Sequence, residues 1–257
     1  MSSWSALDEE IARWRDLGRT VDLWWRDDDA ATVGAPLERL LALRRNLGLP
    51  LALAVVPARA DAALAARLGE EPDVGVLQHG YAHVNHAAPP AKKVELGAER
   101  PAMLVLGELG TGWLALEREF AAKALPVLVP PWNRIAPALV PTLPEIGFRG
   151  LSTFGRRARP QPVRGLVQVN THLDPVDWHS PGRGFVGLDR ALTALVGALS
   201  AARTGPPEPI GVLSHHLAMD DATWDFLVSL WGRVMAAPGT RIWPAHELFL
   251  ASREARG

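Results

Sequence analysis

Short apolar runs alternate with longer amphipathic ones along the chain. Residues 21–25, 51–56, 74–77, 127–129, 148–152, 166–169, 210–213 and 241–243 read as strands. Near-continuous apolar runs of that length are what a strand buried on both faces requires. Residues 5–17, 37–46, 58–68, 103–124, 135–146, 188–202, 222–236 and 245–255 carry helical spacing. Ser5 stands where a cap for the first helix is expected, Asp8 and Glu9 favour its positive end, and Gly18 ends it. A polar stretch over 87–93 with two prolines reads as a loop. Strands alternating with helices imply a parallel sheet with crossover helices. Seven or eight units of this kind in one mid-sized chain fit an α/β architecture, a closed or nearly closed barrel. An open doubly wound sheet is the alternative, but no Gly-rich dinucleotide loop follows the first strand. No repeat, linker or low-complexity tract divides the chain, so residues 1–257 form one expected domain.

Composition narrows the function. Apolar residues make up 48% of the 257, enough for a full core. A formal net charge of −1 argues against a nucleic-acid surface and a polybasic membrane patch. The expected partner is therefore a small molecule or an oligosaccharide. Lysine occurs only at Lys92, Lys93 and Lys123. Cysteine is absent, so disulfides, thiolate ligands and a cysteine nucleophile are excluded, and any metal must be held by His, Asp or Glu. The first residues show no basic-then-apolar leader pattern, and no run approaches a membrane span. A soluble, cytoplasmic protein is expected; no pattern specifies an oligomeric state. Ten tryptophans against one tyrosine suit core filling and, beside polar residues, sugar platforms. Trp24, Trp25, Trp132 and Trp178 are the ones beside candidate chemistry.

Five polar clusters sit just past apolar runs: Asp27-Asp28-Asp29, His79 with His83, Pro130-Pro131-Trp132-Asn133-Arg134, Asp174 with Asp177-Trp178, and His215-His216. In a β/α barrel the C-terminal ends of the strands converge on one mouth, so all five meet there. Three adjacent carboxylates repel one another, and a cation would relieve that repulsion. One aspartate would bind it while a neighbour acts as a base on activated water. His79 and His83 have the i, i+4 spacing that puts two imidazoles on one face of a helical turn. Gly80 stands where a zincin motif needs glutamate, so this is not that pattern. His215 suits a general acid, with Asp174 or Asp177 to hold its tautomer.

This ordered set resembles the polysaccharide deacetylase family, the NodB-homology domain of carbohydrate esterase family four. The likeness spans roughly residues 20–250. It lies in Asp28-Asp29, His79-Gly-Tyr-Ala-His83, Pro130-Pro131-Trp132, Asp174-Pro-Val-Asp177-Trp178 and Leu213-Ser-His215. The resemblance implies an irregular, NodB-like (β/α) barrel of about seven parallel strands and a divalent ion, Zn²⁺ first, with Co²⁺, Ni²⁺ or Mn²⁺ also compatible. That ion would be held by Asp29, His79 and His83. By the same resemblance Asp28 is the base, His215 the acid, and Asp174 and Asp177 assist it. Pro131, Trp132, Trp178 and Tyr81 line the substrate pocket, with a backbone N–H near Trp132 stabilising the acyl oxygen. The implied reaction is hydrolysis of an N-acetyl or other N-acyl bond on an amino-sugar-type substrate. Two alternatives remain: another amide or imide hydrolase on the same barrel, and a degenerate homologue that binds a glycan without turnover. Asp27/Asp28 is the alternative register for the pair, which Ala30-Ala31 follows here instead of the usual Gly-Pro. The arginine that orients the family's base falls at Val129 in this chain, and Arg134 or Arg26 is the substitute.

Overall fold

The first strand, β1 (Val21–Ala30), runs on through the acidic run instead of stopping before it. In the computed structural model, which describes residues 4–250, β1 lies between β2 (Leu51–Val55) and β8 (Ile210–Ser214). The other strands are β3 (Val74–His79), β4 (Ala124–Val129), β5 (Gly150–Leu151), β6 (Val167–Gln168), β7 (Thr171–Leu173) and β9 (Thr240–Ile242). The helices are α1 (Trp4–Asp16), α2 (Ala35–Leu47), α3 (Ala62–Gly69), α4 (Ala102–Phe120), α5 (Leu188–Thr204), α6 (Asp221–Ala236) and α7 (Ala245–Leu250).

All strand pairings are parallel, in the order β6-β5-β4-β3-β2-β1-β8-β7, with β9 added beside the start of β1. The two ends of that order, β6 and β7, are separated in sequence only by Val169 and Asn170. The N–H of Val169 donates to Leu151 O (3.1 Å), that of Thr171 to Thr153 O (3.0 Å), and that of Gly155 to Thr171 O (2.7 Å). The sheet thus curls until its ends meet, which is the irregular β/α barrel expected. It has nine strands rather than about seven, because one strand is interrupted into β6 and β7 and β9 is an addition. β7 escapes a hydrophobicity reading because His172 and Asn170 break up its apolar pattern.

Strand alternation sorts the side chains into two layers. Val21, Leu23 and Trp25 of β1 pack with Leu51, Leu53 and Val55 of β2 against the helices, joined by Leu7, Leu40, Leu195 and Trp231. Trp24, Ala52, Ala54, Leu77 and Val127 face the interior, where Phe249 of α7 meets Trp24 edge-on at 5.8 Å. Residues 135–146 are not a helix. They form only a 3₁₀ turn over Pro137–Thr142, because Pro137, Pro141 and Pro144 remove the donors a helix needs. The segment 58–68 is likewise split, into a 3₁₀ turn and α3, which Asp61 caps by accepting from Leu64 N at 2.8 Å. The first helix begins at Trp4, one residue before the expected cap, and the continuation of the last helix to Ala255 lies outside the described residues. Among the described residues no helix is long and apolar enough to cross a membrane.

Closure depends on a tight approach at Gly211, which pairs with Thr171 across β7 and β8. A Cβ there would sit 2.5 Å from Trp24 Nε1 and 2.7 Å from both Asn170 O and Thr171 Cα. Two of these three neighbours are backbone and cannot swing away. Gly211→Ala is expected to lower unfolding free energy by about 3 kcal/mol, measured by urea denaturation. A loss below about 0.5 kcal/mol would mean that the closure is not tightly packed.

Candidate metal centre and catalytic residues

Because the acidic run lies inside a strand, its carboxylates do not crowd one face. Asp28 shares a face with Arg26, two residues earlier. Both are buried; Arg26 Nε lies 2.9 Å from Asp28 Oδ1, and its Nη2 donates to Asp28 Oδ2 at 3.0 Å. The same guanidinium donates to Ser152 Oγ (2.6 Å) at the end of β5 and to Asn133 Oδ1 (2.8 Å). Asp27 points the other way. It accepts from Ser214 Oγ (2.6 Å), from His216 N (3.1 Å) and at 2.5 Å from the His216 ring, while Trp25 Nε1 donates to the same Ser214 Oγ (2.9 Å). Asp29 has φ +74°, which turns its carboxylate out of the strand pattern.

That turn brings Asp29 to the histidines. Its Oδ1 lies 3.1 Å from both His79 Nε2 and His83 Nε2, and the three donor atoms fall within 4.8 Å of one another. His79 Nδ1–H donates to Val129 O at 3.0 Å, which fixes the ring with Nε2 turned toward Asp29. Burial pushes Asp29 upward, but hydrogen bonds from His79 and His83 and the charge of His79 overcome it and hold the carboxyl far below its usual range. Burial pulls His79 down, yet Asp28 and Asp29 hold it above its ordinary value. A carboxylate and two oriented imidazoles aimed at one point fit a divalent cation. The histidines do not share a helical turn as their spacing implies. His79 ends β3, and His83 follows in a loop at φ +57°.

On the facing wall, His215 Nδ1 lies 3.8 Å from Asp174 Oδ2, and its ring meets Trp178 edge-on at 4.6 Å. Burial pushes Asp174 upward, opposed by the charge of His215 and by N–H donors from Trp178 (2.7 Å) and Val176 (3.0 Å). The charge of His215 helps hold Asp29 down, and that of Asp28 helps hold Asp174 up, so both walls border one site. Trp132 sits 4.4 Å from the His83 ring at φ +55°, after the buried Pro131. Two expectations are corrected. Arg134 donates to Lys93 O (2.7 Å); the guanidinium on Asp28 is Arg26, because only it shares that face of β1. Asp177 accepts from His179 N (3.0 Å) and faces Arg190 (3.7 Å), so Asp174 alone stands by His215. Tyr81 joins the loop through its backbone, its N–H donating to Glu95 (3.1 Å) and its carbonyl accepting from Ala58 N (2.9 Å).

No family model and no curated protein matches the sequence. Solved structures do. A putative polysaccharide deacetylase from Mycobacterium smegmatis superposes with a TM-score of 0.66 at 18% identity, over 88% of this chain and 87% of its own. The T48 deacetylase with substrate gives 0.56 at 16%, over 90% and 92%. A family 4 acetyl xylan esterase from Clostridium thermocellum in complex with cobalt gives 0.53 at 12%, over 88% and 89%. The fold is that of the family 4 carbohydrate esterases. Within this polysaccharide deacetylase fold, Val129 offers no guanidinium, but its carbonyl accepts from His79 Nδ1 and Gly80 N.

The sequence reading missed Ser152 and Asn133, the holders of Arg26, and Glu95. The fully buried Glu95 accepts from Tyr81 N (3.1 Å), Ala82 N (2.7 Å) and, more weakly, Val84 N (3.5 Å), bracing the loop that carries His83. Gly80, at φ +55°, is required beneath it, since a Cβ would lie 2.0 Å from Glu95 Oε2 and 2.6 Å from Pro131. A glutamate between two loops carries no sequence signal for this; only the Gly80 in the His-x-x-x-His segment hints at a tight turn. Four of the seven non-glycine residues with positive φ among those described are Asp29, His83, Trp132 and Asn133, so the backbone strain gathers at this site.

Glu95→Ala is expected to cost about 3 kcal/mol of stability, by leaving buried N–H groups without an acceptor, and to weaken divalent-metal binding in a dye-competition titration. Unchanged metal affinity would remove Glu95 from the support of His83. The buried His216 gives a pH signature. Burial lowers it, but the charge of Asp27 and the hydrogen bond to it raise it above its ordinary 6.5. Protonated His216 therefore stabilises the fold fully below pH 6.5, and that contribution is lost as pH rises through the raised folded value. Unfolding free energy should fall across that window, with a shallower fall in His216→Gln. Parallel profiles would show that the pair does not titrate with folding.

Proposed function

We propose that the protein is a metal-dependent hydrolase that removes an N-acetyl or other N-acyl group from an amino-sugar-type substrate. The observation that carries this reading is the convergence of Asp29, His79 and His83 on one point beside the Arg26-held Asp28. Asp29, His79 and His83 would hold the ion, with Zn²⁺, Co²⁺, Ni²⁺ and Mn²⁺ all suited to such a donor set. When bound, a divalent cation supplies Lewis acidity toward a water and toward the acyl oxygen.

The chain's own residues do the rest. Asp28, fixed by Arg26, accepts the proton of the attacking water at a carboxylate oxygen. The strained turn at Trp132 and Asn133 presents backbone beside the acyl group. His215 Nδ1 is buried without a hydrogen-bond partner beside Asp174, which leaves Nε2 to deliver a proton to the departing nitrogen. Trp132 and Trp178 wall the pocket and exclude water. Arg26 on Asp28 favours this reading over a degenerate homologue, since the guanidinium that orients the base is present in a different strand.

Purified protein loaded with Zn²⁺ or Co²⁺ should carry about one ion per chain, lost in Asp29→Ala, and release acetate from an N-acetyl sugar. His215→Ala should keep the ion while turnover falls by about 10²–10⁴-fold. The reading fails if no stoichiometric ion binds and Asp29→Ala changes nothing. Metal loss in His215→Ala would make that residue a ligand. A bound ion without acetate release from a panel of N-acetyl sugars would favour another amide or imide hydrolase or a non-catalytic homologue.

A further inference from the structure

The two tryptophans that wall the pocket have matching surroundings. Trp132 touches His83 (4.4 Å) and has Lys93 Nζ over its ring at 6.0 Å; Trp178 touches His215 (4.6 Å) and has Arg183 Cζ over its ring at 5.6 Å. Both cations are exposed. Lys92 stands next to Lys93, and Arg134 is tied to the Lys93 carbonyl. Lys92 and Lys93 are two of the chain's three lysines. Among the described residues, Lys92, Lys93, Arg134 and Arg183 have no carboxylate within ion-pair distance. Elsewhere Arg67, Arg203 and Arg241 are paired, while Arg19 and Arg149, which form no ion pair among the described residues, spend guanidinium donors on backbone carbonyls.

The acidic groups facing the pocket are already engaged. Asp28 is held by Arg26, Asp29 by two histidines and Asp174 by Trp178 and His215, while Asp177 at the rim faces Arg190. The rim therefore carries positive charge on both tryptophan walls with no carboxylate of the described residues within ion-pair distance of it. A neutral glycan needs aromatic platforms but no such cations. Phosphate and carboxylate groups are bound by charge-assisted hydrogen bonds from lysine and arginine.

We propose that the pocket takes an N-acylated substrate bearing an anionic group, phosphate or carboxylate, that reaches past a tryptophan wall to Lys93 or Arg183. This inference rests on the acyl-hydrolase reading above for which end of the substrate lies at the floor. Its test is binding, so the two can fail separately.

Affinities of metal-loaded protein for N-acetylglucosamine, its 1-phosphate, its 6-phosphate and an N-acetylated amino-sugar carboxylate would be measured by calorimetry. At least one anionic sugar should bind about tenfold or more tighter than the neutral one at low salt, and the advantage should shrink as salt screens the contact. Which arm wins identifies the anion and its position. The advantage should collapse in Lys93→Ala/Arg183→Ala and reverse in Lys93→Glu/Arg183→Glu, with metal content and circular dichroism unchanged because both side chains are exposed. Equal affinities, no detectable binding of any anionic sugar, or an advantage that survives in the double variants would overturn the proposal. Salt-sensitive preference without acetate release would uphold the anionic subsite and remove the deacylase reading instead.

Discussion

An ion pair between two residues of the same strand, Arg26 and Asp28, holds the candidate site together. Both side chains are buried, and a charge in that position is tolerated only while its partner and hydrogen bonds remain. The guanidinium spends its other donors on Ser152 and Asn133, so the first strand of the barrel is tied both to the end of β5 and to the turn that carries Trp132. Asp28, the Trp132 turn and the closure of the sheet are thereby tied to one planar group. A lysine there would lack the fork of donors that reaches three partners at once.

The neighbouring aspartates are separated by the same alternation. Asp27 goes to the helix-facing layer, where Ser214 and His216 consume its acceptors. Asp29 leaves the strand through a left-handed residue and meets the histidines. Three adjacent carboxylates thus meet three different sets of partners, Ser214 with His216, Arg26, and the His79/His83 pair, without facing one another. Their repulsion is relieved by geometry as well as by counter-charge. Around them the backbone strain at His83, Trp132 and Asn133 is held by buried contacts: Glu95 on the backbone of the His83 loop, and Asn133 on Arg26.

Parts of this were legible in one dimension. Long apolar runs marked β2, β3 and β8, and the order of five polar clusters after strands pointed to one mouth. The runs at 148–152 and 166–169 marked β5 and β6, but β7 was unreadable because its pairing rests on backbone bonds across the closure, not on hydrophobic length. Arg134 was the nearer substitute for the family arginine by position in the chain. Arg26 was the right one in space, because period-two geometry puts it on the Asp28 face and Arg134 is drawn away to Lys93. Glu95 was invisible, since its partners are backbone amides.

The sequence by itself determined the α/β class, the barrel, the exclusion of thiolate chemistry and the convergence of the aspartate run, His79, His83 and His215 on one mouth. These follow from local pattern and from the rule that strand ends converge. Only the tertiary structure decided which aspartate meets the histidines, which guanidinium holds Asp28 and what supports the histidine loop. Those depend on which face a side chain takes and which distant backbone comes beside it, and neither is encoded in linear spacing.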